Sequence, residues 1–137
     1  MQLLDQREDQ RGIIFTRTKA GAQALKHQLN LEGFNVEALE GDMAQKDRDK
    51  GMRAFKNQSL QYLISTDVSA RGIDVNDVNF IIHHQLPEHI EYYTHRSGRT
   101  ARGGKTGESI ALVLSNEQKE IQNIEKQLNI KMKQITL

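Results

Sequence analysis

Short apolar runs alternate with amphipathic stretches along most of the chain. Gly12-Ile13-Ile14-Phe15-Thr16 is apolar at consecutive positions, not at every second one, which is the pattern of a strand buried on both faces. Ala20 to Leu31 follows with Ala24, Leu25 and Leu29 at helical spacing, and Gly33 supplies a helix stop. Phe34 to Ala38 predicts a second strand. Ala44 to Phe55 predicts a helix with Met52 and Phe55 inward and Lys46, Asp47, Arg48, Asp49 and Lys50 on a charged face. Leu60 to Thr66 and Val78 to His83 are expected to be a third and a fourth strand, and Glu88 to Arg96 a short helix opened after Pro87. Glu108 to Leu114 is a last strand, and Ser115 to Leu128 a helix with Ser115 as its N-cap. This alternation predicts an α/β, three-layer sandwich: a mainly parallel central sheet flanked by helices on both faces.

Composition changes that picture only at the margins. The 137 residues are enough for one core, and the polar segment Met1 to Arg11 reads as a lead-in or linker before a domain spanning 12–137. Cysteine is absent, which removes disulfides and thiolate metal sites and fits a reducing, cytoplasmic setting. No apolar run approaches the ~20 residues of a membrane-spanning helix. With 19 basic and 18 acidic residues the formal net charge is +1, so a nucleic-acid role would have to rest on local clusters.

Ligands of open α/β sheets bind beyond the carboxyl ends of the strands. Past the first strand lie Thr18 and Lys19; past the second lie Gly41 and Asp42, with Gln45 and Arg48 one helical turn apart; past the third lie Thr66, Asp67, Arg71, Gly72 and Asp74. If the strands are parallel, all three groups share one rim. Hydroxyls, cationic side chains and helix N-terminal amides all donate to phosphate oxygens, so this rim suits a phosphate backbone. Thr18 and Thr66 also read as plain cap or strand residues, a reading that three coincident strand ends weaken.

The densest cluster is His95-Arg96-Ser97-Gly98-Arg99-Thr100-Ala101-Arg102, with three arginines in eight residues, and it is expected to be exposed. Arg99 and Arg102 are three apart, so one helical turn points both guanidiniums the same way, as a triphosphate would require. A solvated basic loop fits the same composition. Gly104-Lys105-Thr106 imitates the end of a phosphate-binding P-loop, but Arg99 stands where that motif needs glycine. The chain has no Asp-Glu-Ala-Asp-like acidic cluster for Mg²⁺, and its five histidines show no zinc-binding spacing; His83-His84 reads as packing.

These residues resemble the ordered motifs of DEAD-box RNA helicases. Thr66-Asp67 with Arg71-Gly72-Ile73-Asp74 looks like motif V of that family. His95 to Arg102 is similar to motif VI, and Ile13-Ile14-Phe15 with Thr18-Lys19 to motif IV. Gly41-Asp42 with Gln45 and Arg48, and Leu86-Pro87, fall where the family pattern puts them, and the likeness runs from about Gly12 to Leu128. It implies a RecA-like C-terminal domain. ATP and Mg²⁺ would be held mainly by an N-terminal RecA-like domain that these residues do not include. Arg99 and Arg102 would be arginine fingers, while Asp74 and Gly72 would meet the nucleotide. His95, Arg96 and Arg71 would couple the two domains. Thr18, Lys19, Gly41, Gln45, Arg48 and Thr66 would contact single-stranded or short duplex RNA. A monomer is implied, and this chain alone is expected to lack ATPase and unwinding activity. Ser97 and Ala101 depart from the family's usual bulky aliphatic residue and glycine, which bears on finger geometry. Two other readings remain: a DNA helicase of the same superfamily 2, against which Gln45-x-x-Arg48 and the His95 motif speak, and a non-enzymatic RNA-binding module.

Overall fold

The computed structural model of the chain describes residue 4 and residues 11–39, 45–56, 60–66, 78–86, 96, 108–113 and 115–133. In chain order these form β1 (Gly12–Thr16), α1 (Lys19–Leu31), β2 (Val36–Leu39), α2 (Gln45–Lys56), β3 (Tyr62–Thr66), β4 (Phe80–His83) and β5 (Glu108–Ala111). A 3₁₀ turn at Ser115–Glu117 then leads into α3 (Gln118–Leu128). The strands form one five-stranded sheet in the order β2-β3-β1-β4-β5, and every neighbouring pair is parallel. The α/β expectation holds, with β1 at the centre.

Consecutive apolar positions in each strand feed two separate cores, as burial on both faces demands. Ile14, Ile64 and Ile82 pack on one face with Ala22, Leu25 and Leu29 of α1. Ile13, Phe15, Leu63 and Ile81 pack on the other with Phe55, and Met52 closes its edge. The sheet is therefore the middle of three layers. Two glycines allow the close approach. A Cβ on Gly12 would lie 2.1 Å from the Phe80 ring, and one on Gly51 would lie 3.0 Å from Leu39.

Several boundaries differ from expectation, each for a local reason. The buried face of α1 is Ala22, Leu25 and Leu29, whereas Ala24 is exposed. Gly33 adopts φ +92°, and Phe34 N–H bonds the Leu29 carbonyl at 3.0 Å while Gly33 N–H bonds that of Asn30 at 3.1 Å. That is a Schellman closure, and it consumes Phe34, so β2 starts only at Val36. Leu60 N–H likewise bonds Ala54 at the end of α2, which delays β3 to Tyr62. β5 stops at Ala111 because β4, its only partner among the described residues, stops at His83; the Leu112 N–H to His83 carbonyl bond is the last rung. Ser115 opens the 3₁₀ turn, and the residue capping α3 is Glu117, without a side-chain bond. The expected lead-in also reaches the fold, since Leu4 is helical and fully buried beside α1. Arg11 N–H bonds Asn79 Oδ1 at 2.9 Å, and its guanidinium lies 4.3 Å from the Phe55 ring centroid. Of the expected helix 88–96, only Arg96 lies within the described residues, and it is helical. No helix among the described residues is long and apolar enough to cross a membrane.

Candidate functional site

Because all five strands are parallel, their carboxyl ends share one edge, and strand order fixes what stands beside what. From the β2 side inward come the N-terminus of α2, then Thr66 ending β3, then Thr18 and Lys19 after β1. Next come His83 to Leu86 at and after the end of β4, which Arg96 meets. Thr16 and Thr66 are register partners, so two threonines close adjacent strands.

Thr18 is the N-cap of α1, extended at φ −125° and ψ 154°, and its Oγ1 accepts from Gly21 N–H at 3.0 Å. The cap reading of Thr18 therefore holds. The hydroxyl proton remains available to a ligand, and the residue is exposed. α1 has no acidic residue in its first turn and begins with exposed Lys19. A cation at a helix N-terminus opposes the helix dipole, and an anion bound there would relieve it. Arg48 lies one turn into α2 and is half-buried; Gln45 opens that helix. Thr66 is 8% exposed, with Ser65 Oγ donating to its carbonyl at 3.0 Å. Of the candidate RNA contacts, five of six thus occupy this rim by backbone position, and Gly41 lies outside the described residues. The same holds for Arg71, Gly72, Asp74, His95, Arg99 and Arg102.

Arg96 departs from expectation. It was expected exposed within a basic cluster, yet it is 1% exposed. Its Nη1 donates to the Gln85 carbonyl at 2.8 Å and stands 3.3 Å from His83 Nδ1, and its guanidinium carbon lies 5.2 Å from the centre of the Phe15 ring. A buried guanidinium requires acceptors and a polarisable face, and the ends of β1 and β4 supply them here. Arginine only donates, so His83 Nδ1 is the acceptor and the proton sits on Nε2, which donates to Ser109 Oγ at 2.9 Å. Burial, and then the Arg96 charge, push the His83 pKa down to about 3. The imidazole is neutral at pH 7. Burial alone lowers the His84 pKa.

The sequence reading passed over Arg17 and Gln85. Arg17 N–H bonds Gln85 Oε1 at 2.9 Å, and Arg17 Nε donates to the Leu86 carbonyl. Only a polar pair directly following two apolar strands signalled them. Among the described residues, no group of three or more His, Asp or Glu side chains is arranged to hold a metal ion.

The chain matches the family described as "Helicase conserved C-terminal domain" over residues 1–104. It is 40% identical over 129 residues to the DEAD-box ATP-dependent RNA helicase RhpA of Helicobacter pylori, covering 94% of this chain and 26% of that protein. It resembles the crystal structure of a DEAD box protein from the hyperthermophile Methanococcus jannaschii at TM-score 0.86 and 40% identity, covering 93% of this chain and 35% of the other. Saccharomyces cerevisiae Dbp5 bound to RNA and ADP BeF3 matches at TM-score 0.85 and 34% identity, over 92% of this chain and 34% of that one. The Dbp5 C-terminal domain by itself matches at TM-score 0.82 and 34% identity, over 90% and 73%. The chain spans about a quarter to a third of the length of the curated relatives it matches, from 25% of Bacillus cereus CshA to 34% of a Methanocaldococcus jannaschii helicase.

Proposed function

The chain belongs to the helicase conserved C-terminal domain family, as the C-terminal RecA-like domain of a DEAD-box RNA helicase, and from that premise we propose that it supplies half of two sites shared with a second domain. One half-site faces the γ-phosphate of ATP and the other the backbone of an RNA strand. The observation that carries this reading is the parallel sheet order β2-β3-β1-β4, which sets Thr66, Thr18 and Lys19 in a row beside the end of β4, where Arg96 docks.

On the RNA side, the Thr18 hydroxyl, Lys19 and Arg48 donate to phosphate oxygens, with Gly41, Gln45 and Thr66 completing the track. Such contacts hold a strand without reading its sequence, and contacts to 2′-hydroxyls favour RNA over DNA. The related Dbp5 is known bound to RNA and ADP BeF3, which supports an RNA strand as the partner here. On the nucleotide side, Arg99 and Arg102 carry the arginine-finger role, and Asp74 with Gly72 meets the nucleotide. ATP brings the phosphoryl group to be transferred, with Mg²⁺ and the attacking water held by the other domain. An arginine placed on a γ-phosphate contributes roughly 10³–10⁵ in rate, or about 4–7 kcal/mol of transition-state stabilisation. His95 and Arg71 couple the domains directly, and Arg96 does so through the segment it carries. The working unit is a monomer acting in the cytoplasm.

The test compares the 137-residue chain alone with the same chain fused behind the ATP-binding domain of a DEAD-box relative. The chain alone should show no RNA-stimulated ATP hydrolysis, and the fusion should show it. ATPase from the chain alone, or none from a folded fusion, would overturn the division of labour.

A further inference from the structure

We propose that Gln85 is a positioning residue that ties the RNA-facing loop after β1 to Arg96. The inference rests on the reading of Thr18 and Lys19 as RNA contacts. β1 and β4 are sheet neighbours, and the residues that follow them meet at a boundary. Gln85 sits on that boundary and faces both ways. Its side-chain Oε1 accepts from Arg17 N–H at 2.9 Å, one residue before the Thr18 cap. Its backbone carbonyl accepts from Arg96 Nη1 at 2.8 Å. A Cβ on Gly21, the residue whose N–H fills the Thr18 cap, would lie 3.2 Å from the same Oε1, so the loop and the Gln85 amide are packed in contact. The Arg17 side chain reinforces the tie by donating to the Leu86 carbonyl.

The chemistry of this knot separates positioning from stability. Gln85 is exposed, whereas Arg96 and Leu86 are buried, so altering the Gln85 side chain leaves both cores untouched. A phosphate drawn onto Thr18 and Lys19 displaces the loop at Arg17, and the Oε1 bond passes that displacement to the peptide that holds Arg96. Gln85→Met keeps the length of the side chain but removes the acceptor. Gln85→Glu keeps the acceptor.

The experiment titrates a single-stranded oligouridylate into the ¹⁵N-labelled 137-residue chain and follows the backbone amides of Thr18 and Lys19 and the Nε–H of Arg96. In the wild type all three should shift. In Gln85→Met the Thr18 and Lys19 shifts should persist, while the RNA-induced shift at Arg96 is lost. Gln85→Glu should restore it, which a merely structural defect would not allow. An Arg96 response that is undiminished in Gln85→Met, or absent from a wild type whose Thr18 and Lys19 respond, overturns the coupling role. Silence at Thr18 and Lys19 in the wild type instead removes the RNA reading beneath it, and the inference falls with it.

Discussion

Replacing His83 with asparagine removes a buried imidazole and its bond to Ser109 Oγ while keeping an acceptor at the δ position for the Arg96 guanidinium. The consequence is a change in how stability depends on pH. In the folded chain the His83 pKa is pushed down to about 3, so the ring stays neutral through mild acid, whereas in the unfolded chain it titrates near 6.5. Below pH 6.5 the unfolded state therefore binds a proton that the folded state refuses, and stability falls with pH until about 3. At about 1.36 kcal/mol per unit, acidification from pH 7 to pH 5 should remove about 2 kcal/mol through this residue. His84, whose pKa is also lowered by burial, adds a loss of the same sign that both proteins share. The assay is urea unfolding of wild type and His83→Asn at pH 7 and at pH 5, comparing the pH-induced change within each protein. The wild type should lose about 2 kcal/mol more than the variant over that interval. Equal losses would mean that the ring is not held neutral, and the tautomer and partners assigned to it would be wrong.

Gly12→Ala drives a Cβ to 2.1 Å from the Phe80 ring at the centre of the sheet and should cost roughly 1–3 kcal/mol in denaturant unfolding; a neutral result would show that Phe80 has room to move. Thr18→Ala removes the cap on Gly21 N–H and should cost about 1 kcal/mol, together with weaker binding of single-stranded RNA. Thr18→Ser should recover both, and RNA affinity unchanged in the alanine variant would confine Thr18 to capping.

How much of this was legible beforehand depended on whether the information was local. β1 could be bounded from Gly12 to Thr16 because a strand covered on both faces is apolar at every position, and no neighbour is needed to see it. The end of α1 was legible because Gly33 must take a positive φ there. β5 was drawn too long because its length is set by its partner, β4, and not by its own residues. The Arg17 to Gln85 bond joins residues 68 positions apart and exists only because β1 and β4 are neighbours, an order the sequence does not print. Arg96 misled for a related reason. Arginine among arginines reads as surface, and only the ends of β1 and β4 together make a pocket for its guanidinium.

The central claim is that this domain completes an ATP site with guanidiniums it carries to a partner domain. Steady-state ATP hydrolysis with saturating RNA tests it most directly, in the chain fused behind a DEAD-box ATP-binding domain. Arg99→Ala and Arg102→Ala should each lower kcat by roughly 10³-fold or more, with ATP binding by the other domain retained and the fold intact by circular dichroism. A fusion that hydrolyses ATP at the wild-type rate without either arginine would contradict the account.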